Sequence, residues 1–384
     1  MKRQMKLSVI IFCGFLVASE VASADVAAVP DPFQGFDDDS KYAINYDDLS
    51  DLLDRVVVDV GLSTRAISNP APAMTGTRMK PKVKRYTEGE GNRFFYEAFT
   101  DNEAGRQYLL GIRRSLEQLP SETPLEKFSR DEQLAYWLNL YNVTVLTEIV
   151  AVYPLRSLKR LAVGEDSVWS KKLLSVAGVP LSLDDIQFTI LKQNYRDDPL
   201  IIYGLYQGVV GGPNIRRSAY TGRDVYRELE ANAFEFVNSN RGTFSNDENV
   251  FLVSNLYDRN RSYFPDFDAD LAEHLLAYLE GDLRNRLMAA STLDPSISDW
   301  TVTDLGGTRH EVGGSLANNQ AAMLDAYKGP RRRDGGILIA PVEVKRPKKE
   351  DDTDDDDAIE DLGESPVDMG ARPEEIISQE ASPE

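Results

Sequence analysis

Apolar residues recur at the spacing of an α-helix over a long segment in the middle of the chain. Their positions are Leu134, Leu138, Tyr141, Val145 and Ile149. Steps of three and four residues place side chains on one face of a helix. Ser129, which suits an N-cap, precedes the segment, and Pro154 follows it. The pattern therefore predicts a helix that begins at Ser129 and ends before Pro154.

Other segments of the chain predict further helices. A stripe of apolar positions indicates one helix within residues 46–60. Capping-box patterns begin at Ser182 and at Thr221, each with an acidic residue three positions later. They predict a short helix after Ser182 and a second helix that runs to Val237. Periodic leucines over residues 271–287 predict one long final helix.

Three segments have the patterns of strands. Residues 172–183 read as a strand, a turn at Gly178 and a second strand, and residues 250–254 predict another strand. The nearly unbroken apolar run from Pro199 to Leu205 predicts a buried central strand, and a glycine-rich loop follows it. Helices and strands are mixed without steady alternation, so we expect an α+β fold with a small central sheet.

The amino-terminal residues have the composition of a secretory signal peptide. A basic start precedes an apolar run from Leu7 to Ala18, and small residues stand ahead of Asp25. We expect cleavage after Ala24, which makes the mature chain periplasmic or secreted. The run of about 12 residues is shorter than the ~20 that cross a bilayer, and this disfavours an uncleaved anchor. No later stretch is long and apolar enough to cross a membrane.

The predicted signal peptide covers residues 1–24. The chain that follows it is predicted to have four parts. Residues 25–87 form a flexible leader with one helix and a Pro-rich connector, and residues 88–304 form the core domain. Residues 305–327 are a carboxy-terminal extension. Residues 328–384 are a disordered acidic tail, because their composition buries too little apolar surface to offset the entropy of ordering.

The negative charge of the chain is concentrated in this tail. The formal net charge is −20, and from Glu350 to Glu384 fifteen acidic residues are accompanied by a single basic one, Arg372. A negative field of this size repels phosphate backbones, so we expect no nucleic-acid partner.

The chain offers few residues for thiol, imidazole or metal chemistry. Cys13 is the only cysteine and lies in the signal peptide, so the mature chain is expected to contain neither a thiol nor a disulfide. The two histidines, His274 and His310, are far apart in sequence, and we expect no metal site and no cofactor. His274 stands beside Leu271 and Leu275, and we interpret it as a histidine at the edge of the core.

Four ordered blocks of the sequence resemble a known family. They are Asp131–Asn142 (DEQLAYWLNLYN), Tyr153-Pro154, Leu181–Ile186 (LSLDDI) and Ala219–Thr221 (AYT). Over residues 90–260 the chain is similar to the bacterial family called domain of unknown function 547. Members with the fuller pattern look like distant relatives of papain-like and transglutaminase-like thiol enzymes. The resemblance therefore implies a core of that kind and, in those members, a Cys-His pair.

The same resemblance implies that the reactive groups are absent from this chain. The family pattern has a histidine where this sequence has Phe188, a glutamate where it has Gln187 and a cysteine where it has Gln207. A second cysteine position is Gly212. A carboxamide is neutral and is not a useful nucleophile, whereas thiol catalysis needs a thiolate and a nearby base. We therefore expect no catalytic residue at these degenerate positions.

The leading interpretation is a non-catalytic ligand-binding or scaffold protein whose partner is an envelope peptide, glycan or protein. The candidate binding residues are Gln207, Gly208, Gly211, Gly212, Asn139, Tyr141 and Asn142. An amide side chain and a glycine-rich backbone supply both donors and acceptors. The structural alternative is that Gln207 only fixes the loop and that the residues between 139 and 142 brace the interior.

Two other functions remain open at this point. The chain could be a hydrolase or amide transferase that uses Asp184, Asp185 or Glu148 as acid-base groups. Asp184 and Asp185 are also explained as acidic residues in the first turn of a helix, where the dipole favours them. In the third interpretation the acidic tail is the functional part, and the core domain holds it.

Overall fold

The computed structural model describes residues 27–66, 87, 89–162, 164, 167–245 and 249–305, together with the backbone of residues 344–345. Its helices are α1 Asp47–Val56, α2 Glu103–Glu122, α3 Arg130–Val152, α4 Lys159–Ala162, α5 Lys192–Asn194, α6 Val225–Val237, α7 Asn255–Arg259, α8 Phe267–Tyr278 and α9 Gly281–Ala289. A π-helix over Asp185–Leu191 leads directly into α5. Short 3-10 helices cover Asp31–Phe33, Tyr96–Phe99, Leu125–Lys127, Pro199–Gly204 and Arg261–Tyr263.

The strands form small separate sheets. They are β1 Ala43–Ile44, β2 Val57–Val58, β3 Arg93–Phe94, β4 Leu174–Val176, β5 Val179–Leu181, β6 Thr243–Phe244, β7 Val250–Ser254, β8 Thr292–Ile297 and β9 Val344–Lys345. In one sheet, β7 pairs antiparallel with β6 and parallel with β8. Strands β4 and β5 form the predicted hairpin with its turn at Gly178. The predicted α+β fold class is confirmed.

Helix α3 crosses the interior and has the bounds that the sequence predicted. The hydroxyl of Ser129 accepts the backbone N–H of Glu132 at 3.3 Å and caps the first turn, and the helix ends at Val152. Residues 132–150 are buried around the whole circumference except at Glu148. A helix that is buried on every side must be packed by other elements in all directions, and the candidate residues between 139 and 142 are therefore interior.

The apolar run from Pro199 to Leu205 is not a strand. It forms the 3-10 helix Pro199–Gly204 between α3 and α6, and the prediction of a buried central strand is wrong here. The side chain of Asp198 accepts the N–H of Leu200 at 2.9 Å, and Pro199 has the φ that suits a first helical position. Burial on all sides selects apolar residues in either conformation, so the apolar run alone could not distinguish them.

The predicted long final helix is two helices, α8 and α9. Asn238, at the end of α6, separates them by donating to the carbonyl of Tyr278 at 2.9 Å and accepting the N–H of Glu280 at 3.2 Å. Gly281 then has a φ of +60°, which costs glycine little. A side chain from elsewhere in the fold thus ends a helix whose own sequence favours continuation.

The two capping-box predictions had different outcomes. At Ser182 the box forms, because its hydroxyl accepts the N–H of Asp185 at 3.1 Å while the Asp185 carboxylate accepts the N–H of Ser182 at 2.6 Å. At Thr221 the box does not form, although the predicted helix is present as α6 and ends at Val237 as expected. The carbonyl of Thr221 accepts the N–H of Asp224 at 3.0 Å in a turn, and α6 begins only at Val225.

Part of the predicted flexible leader is packed against the core domain, which corrects that expectation for residues 29–35. The Phe33 side chain is fully buried, and its ring lies edge-on to Trp137 with 5.0 Å between centroids. The side-chain amide of Gln133 donates to the carbonyl of Gly35 at 3.0 Å. The predicted helix of the leader is confirmed as α1, whereas the connector over residues 67–86 lies outside the described residues.

Most of the predicted ends cannot be compared with the structure. The predicted signal peptide, residues 306–327 and almost all of the predicted tail lie outside the described residues. Within the tail, the backbone of β9 pairs antiparallel with β1, which differs from the expected disorder at these two residues. Among the residues that the structure describes, no helix combines the length and hydropathy needed to cross a membrane. A chain with one cysteine can form no internal disulfide.

Candidate functional site

Gln207 lies in the loop that follows the 3-10 helix Pro199–Gly204, and its side chain is held by an arginine. The residue is only 4% exposed, and its amide oxygen accepts a hydrogen bond from the Nη2 of Arg259. Gly212 closes the same loop, and an added Cβ there would lie 3.2 Å from the Cβ of Gln207. The two positions that correspond to cysteines in the family pattern are therefore neighbours.

Arg259 is the last residue of α7 and was not singled out by the sequence analysis. The side chain of Ser254 caps α7 by accepting the N–H of Leu256 at 3.1 Å, which fixes the short helix beside the loop. The guanidinium carbon of Arg259 lies 5.2 Å from the ring centroid of Trp300, within cation–π range. The side chain keeps contact with solvent, and none of the described carboxylates forms an ion pair with it.

The surroundings of Arg259 remove part of its hydration although its side chain reaches solvent. Desolvation by the enclosing protein lowers the pKa of the guanidinium, and the nearby Tyr141 opposes this shift. A cation that is partly desolvated and lacks a counter-ion gains more from binding an anion than a fully hydrated surface cation does. Arg259 is therefore an available positive charge in a chain whose net charge is −20.

Gln187 and Phe188 lie next to the same helix. The amide nitrogen of Gln187 donates to the Oδ1 of Asn260, the residue that follows Arg259. Phe188 is partly buried and packs against the hydrophobic core. Consecutive residues thus hold the side chains of Gln207 and Gln187, which are far apart in sequence. The degenerate positions are thus occupied by two amides that bind consecutive residues at the end of α7 and by a phenyl ring that packs on the core.

A hydrogen-bonded group near Arg259 consists of Tyr141, Trp169 and Asp184. The Tyr141 hydroxyl accepts the indole N–H of Trp169 at 2.9 Å, and the Asp184 backbone N–H donates to the carbonyl of Trp169 at 3.0 Å. Burial raises the pKa of Tyr141, and the charge of Asp184 raises it further. Burial likewise raises the pKa of Asp184, with a smaller contribution from the charge of Asp185.

Asn139 and Asn142 are structural clamps in the interior. The amide of Asn139 donates to the carbonyl of Tyr220 and accepts its N–H, both at 2.9 Å. The amide of Asn142 donates to the carbonyl of Gly204 and accepts the N–H of Tyr206, again at 2.9 Å. Each amide therefore binds backbone that has no strand partner, and both fix the 3-10 helix and the loop before α6 onto α3.

The backbone of the glycine loop is engaged by other parts of the protein. Gly208 has a φ of +71°, and its carbonyl accepts the N–H of Thr303 at 3.1 Å. The N–H of Gly211 donates to the carbonyl of Asp299 at 2.9 Å, and the carbonyl of Gly212 accepts from Arg241 at 2.7 Å. These contacts shape the loop, and they leave fewer of its backbone groups for a ligand than the sequence suggested.

The carboxylates proposed for an enzyme are held at separate places. The carboxylate of Asp185 caps its own helix and binds Lys172. Glu148 forms an ion pair with Arg113 at 3.0 Å. Among the described residues, the Gln207 side chain forms a hydrogen bond with Arg259 and with no carboxylate. No pair of described carboxylates therefore converges on Gln207.

A narrow cleft opens beside Arg259. Its walls include Arg259, Trp300, Asp299 and Ser254, and its interior space of about 10 Å³ admits little more than one water molecule. The Asp299 carboxylate in this wall accepts the hydroxyl of Thr87 at 2.6 Å and the N–H of Thr301 at 2.9 Å. The cleft therefore has room for about one water molecule, and a larger ligand reaches Arg259 only at the mouth of the cleft.

His274 does not contribute to this region. His274 is stacked between aromatic rings, and its Nε2 lies 2.8 Å from the hydroxyl of Tyr203. Burial lowers its pKa to about 4. His310 lies outside the described residues. Within the part of the chain that the structure describes, no three acidic, histidine or cysteine side chains are grouped so as to hold a metal ion.

Comparison with protein families supports the resemblance over the central part of the chain. The model of a family described as "Protein of unknown function, DUF547" matches residues 125–237. These residues include α3, the Ser182 capping box, Gln207 and α6, whereas Arg259 and Trp300 lie beyond them. No curated protein and no solved structure matches the chain.

Proposed function

We propose that this chain is an exported protein whose core domain binds a carboxylate-bearing peptide or glycan of the cell envelope without transforming it. The observation that carries the proposal is the Arg259 guanidinium, which Gln207 and Trp300 hold in a fixed orientation and which has no carboxylate partner among the described residues. A guanidinium presents several N–H donors in one plane, and this matches the two oxygens of a carboxylate.

The shape of the cleft limits what this arginine can bind. Its interior is too small for a drug-sized ligand, so a terminal carboxylate at its mouth fits better than a compact anion enclosed on all sides. Trp300 provides an aromatic wall, and Asp299 adds a negative charge that repels ligands with several anionic groups. A single carboxylate on an otherwise neutral chain is the chemistry that these groups favour.

The same geometry supports binding without catalysis. The amides of Gln207 and Gln187 occupy the positions where the family resemblance implies a thiol and the residue beside the base, and Arg259 and Asn260 bind them. A carboxamide in contact with a guanidinium has no mechanism to attack a carbonyl carbon. The papain-like ancestry of the core belongs to this proposal, because the fold class does not by itself show it.

The alternative of a hydrolase or amide transferase has one observation in its favour. Asp184 is a partly buried carboxyl group with a raised pKa near Tyr141, which is a common environment for a general acid. Turnover of a peptide or ester that stops in Asp184→Asn and continues in Arg259→Met would favour this alternative over simple binding.

Export is part of the proposal and is tested separately. Amino-terminal sequencing of the protein recovered from cells should begin at Asp25 if cleavage follows Ala24. An intact Met1 on protein recovered from the cell envelope would instead favour an uncleaved anchor.

Binding is tested with the signal-cleaved chain and a matched pair of peptides. One short neutral peptide has a free carboxy terminus, and the other has the same sequence with an amidated terminus. Titration is followed by tryptophan emission, because Trp300 lies against Arg259 and Trp169 lies against Tyr141. The free acid should give a saturable change, and the amide should bind about 10-fold to 100-fold more weakly.

Two substitutions locate this binding at the cleft. Arg259→Met keeps much of the stacked side chain and removes the charge, so it should abolish the preference for the free acid. Arg261→Met is the matched control, because Arg261 is an exposed arginine that pairs with Asp258 at 2.9 Å. Equal binding of acid and amide, or a preference that survives Arg259→Met, would contradict the proposal.

A further inference from the structure

We infer that the protein has a second binding site, for a neutral sugar chain, where the leader packs against the core domain. The site is a cleft, here called the aromatic cleft, with Phe36, Arg130, Tyr195 and Tyr226 among its walls. It shares no wall residue with the cleft at Arg259. The two sites are therefore independent, and each can be tested without the other.

The aromatic cleft has the size of a small-molecule site. Its space of about 610 Å³ is wide open to solvent, and ligand sites in proteins typically measure about 300 to 1,000 Å³. One or two sugar rings fit such a volume while the rest of a chain continues into solvent. The leader contributes Phe36 and Asp38 to the wall, and its Phe33 packs against Trp137 of α3.

Arg130 links two of the aromatic residues in the walls. The Arg130 guanidinium carbon lies 3.8 Å from the Phe36 ring centroid and 5.9 Å from that of Tyr195. Tyr195 donates its hydroxyl to the carbonyl of Arg130 at 2.9 Å, and Arg130 donates to the carbonyl of Asn194 at 2.7 Å. Phe36 keeps 39% of its surface exposed beside Arg130, and the C–H face of a sugar ring can pack on such an aromatic surface.

The charged groups around the cleft suit hydroxyl groups. Arg130 and Arg196 bring two positive charges to its walls, and Asp38 and Asp198 bring two negative charges. None of these four side chains forms an ion pair with a described residue. Separate donors and acceptors that balance in charge favour a ligand whose groups donate and accept at once, as sugar hydroxyls do. A strongly cationic ligand would be repelled by the two arginines, and a strongly anionic ligand would be repelled by the two aspartates.

The backbone at the wall of the cleft is strained. Arg196 and Asp197 have φ values of +56° and +57°, a conformation that side chains other than glycine seldom adopt. Asp197 is held by its N–H bond to the carbonyl of Lys192 and by an ion pair with Lys192 at 2.7 Å. Consecutive strained residues are often retained at binding sites, and here they place Arg196 in the wall.

The test measures saturation transfer by NMR from the signal-cleaved, full-length chain to neutral tetrasaccharides of glucose and of N-acetylglucosamine. Saturation should pass mainly to the ring C–H protons of at least one of them. Arg196→Gly should weaken binding about fivefold or more by removing a hydrogen-bonding group, although glycine suits this backbone. Asp197→Gly is the matched control, because it relieves the same strain at a residue outside the cleft wall and should change affinity less than twofold.

Two further variants separate sugar binding in the aromatic cleft from binding at Arg259 and from nonspecific adhesion. Tyr226→Phe keeps the ring and removes a hydroxyl, so it should weaken binding in the same direction as Arg196→Gly. Arg259→Met should leave sugar binding unchanged, even if the carboxylate proposal fails. The inference is wrong if neither sugar receives saturation at 10 mM, if binding is insensitive to both cleft variants, or if the cleft variants weaken an acidic peptide instead of a sugar.

Discussion

Two arginines hold the same glycine loop, and their surroundings are opposite. Arg241 is fully buried; it donates to the carbonyl of Gly212 at 2.7 Å and to the Oδ1 of Asn214 at 3.1 Å, and it forms an ion pair with Glu235. Arg259 reaches solvent, and it holds the loop through the amide of Gln207 without an acidic partner among the described residues. One guanidinium is used by the fold, and the other is still available.

This difference is a guide to which polar groups belong to the frame and which can act on a ligand. Asn139 and Asn142 resemble Arg241, because each amide is bonded on both sides to the backbone. They came from the most recognisable block of the sequence, yet they serve the fold. Substitution of a buried polar group whose bonds all serve the fold, such as Arg241, should therefore change stability. Substitution of a solvent-accessible group that is still available to a ligand, such as Arg259, should change binding.

The largest expected effect is that of Arg241→Met. Removing this guanidinium leaves Glu235 buried without its charge partner, and such a loss costs about 3–5 kcal/mol of unfolding free energy. The matched variant Arg259→Met should cost less, about 1–2 kcal/mol, because it leaves the neutral amide of Gln207 without a partner but leaves no buried charge unpaired. Urea unfolding of both variants measures the two costs. Similar losses in both would break the comparison.

The next effect is that of Asn142→Leu. The change leaves the carbonyl of Gly204 and the N–H of Tyr206 without a partner in the interior, at a cost of about 2–4 kcal/mol. Thermal unfolding should show a lower midpoint for this variant than for Asn45→Ala, which removes a surface contact to the N–H of Asp47. If Asn142→Leu kept wild-type stability and lost ligand binding, Asn142 would belong with Arg259.

The third prediction concerns His274, whose ring is bonded to Tyr203 and packed among aromatic side chains. Its folded pKa of about 4 lies below the usual 6.5 of an unfolded chain. The stability associated with the neutral ring is therefore complete above pH 6.5 and is lost as the pH falls toward 4. The loss approaches about 2–3 kcal/mol at the acidic end of this window.

His274→Phe isolates this effect, because phenylalanine keeps the stacked ring and does not titrate. The difference in unfolding free energy between wild type and His274→Phe should be constant above pH 6.5 and should shift in favour of the variant as the pH falls from 6.5 to 4. A difference that stays constant over that range would show that His274 is protonated equally in both states.

The sequence predicted those parts of the fold that depend on local pattern. The period of α3, its Ser129 cap and the Gly178 hairpin all follow from residues within one element. The errors depend on distant side chains. Asn142 binds the backbone on both sides of Leu205 and replaces the partner that a strand there would need, and Asn238 separates α8 from α9. No pattern within those segments indicates either contact.

The candidate site could be predicted only in part. Gln207 and Gln187 were found because the resemblance marks their positions, and in the structure each binds a residue at the end of α7, Arg259 and Asn260 respectively. Arg259 and Trp300 had no signal in the sequence, because arginine is common on surfaces and tryptophan in hydrophobic contacts. What distinguishes Arg259 is that its guanidinium binds Gln207 and lies against Trp300 without an acidic partner among the described residues, and only the spatial arrangement of the chain shows this combination.

The smallest effect on stability and the sharpest effect on binding are both expected from Gln207→Glu. The new carboxylate has nearly the shape of the amide and lies against the Arg259 guanidinium, so it supplies the missing counter-ion. Unfolding free energy should change by less than about 1 kcal/mol, because the attraction to Arg259 offsets the cost of placing a carboxylate at a position that is only 4% exposed. The preference for a free carboxylate over an amidated peptide should disappear, because the guanidinium is already neutralised. A Gln207→Glu protein that still prefers the free acid would place the carboxylate elsewhere and leave Arg259 as a second structural arginine.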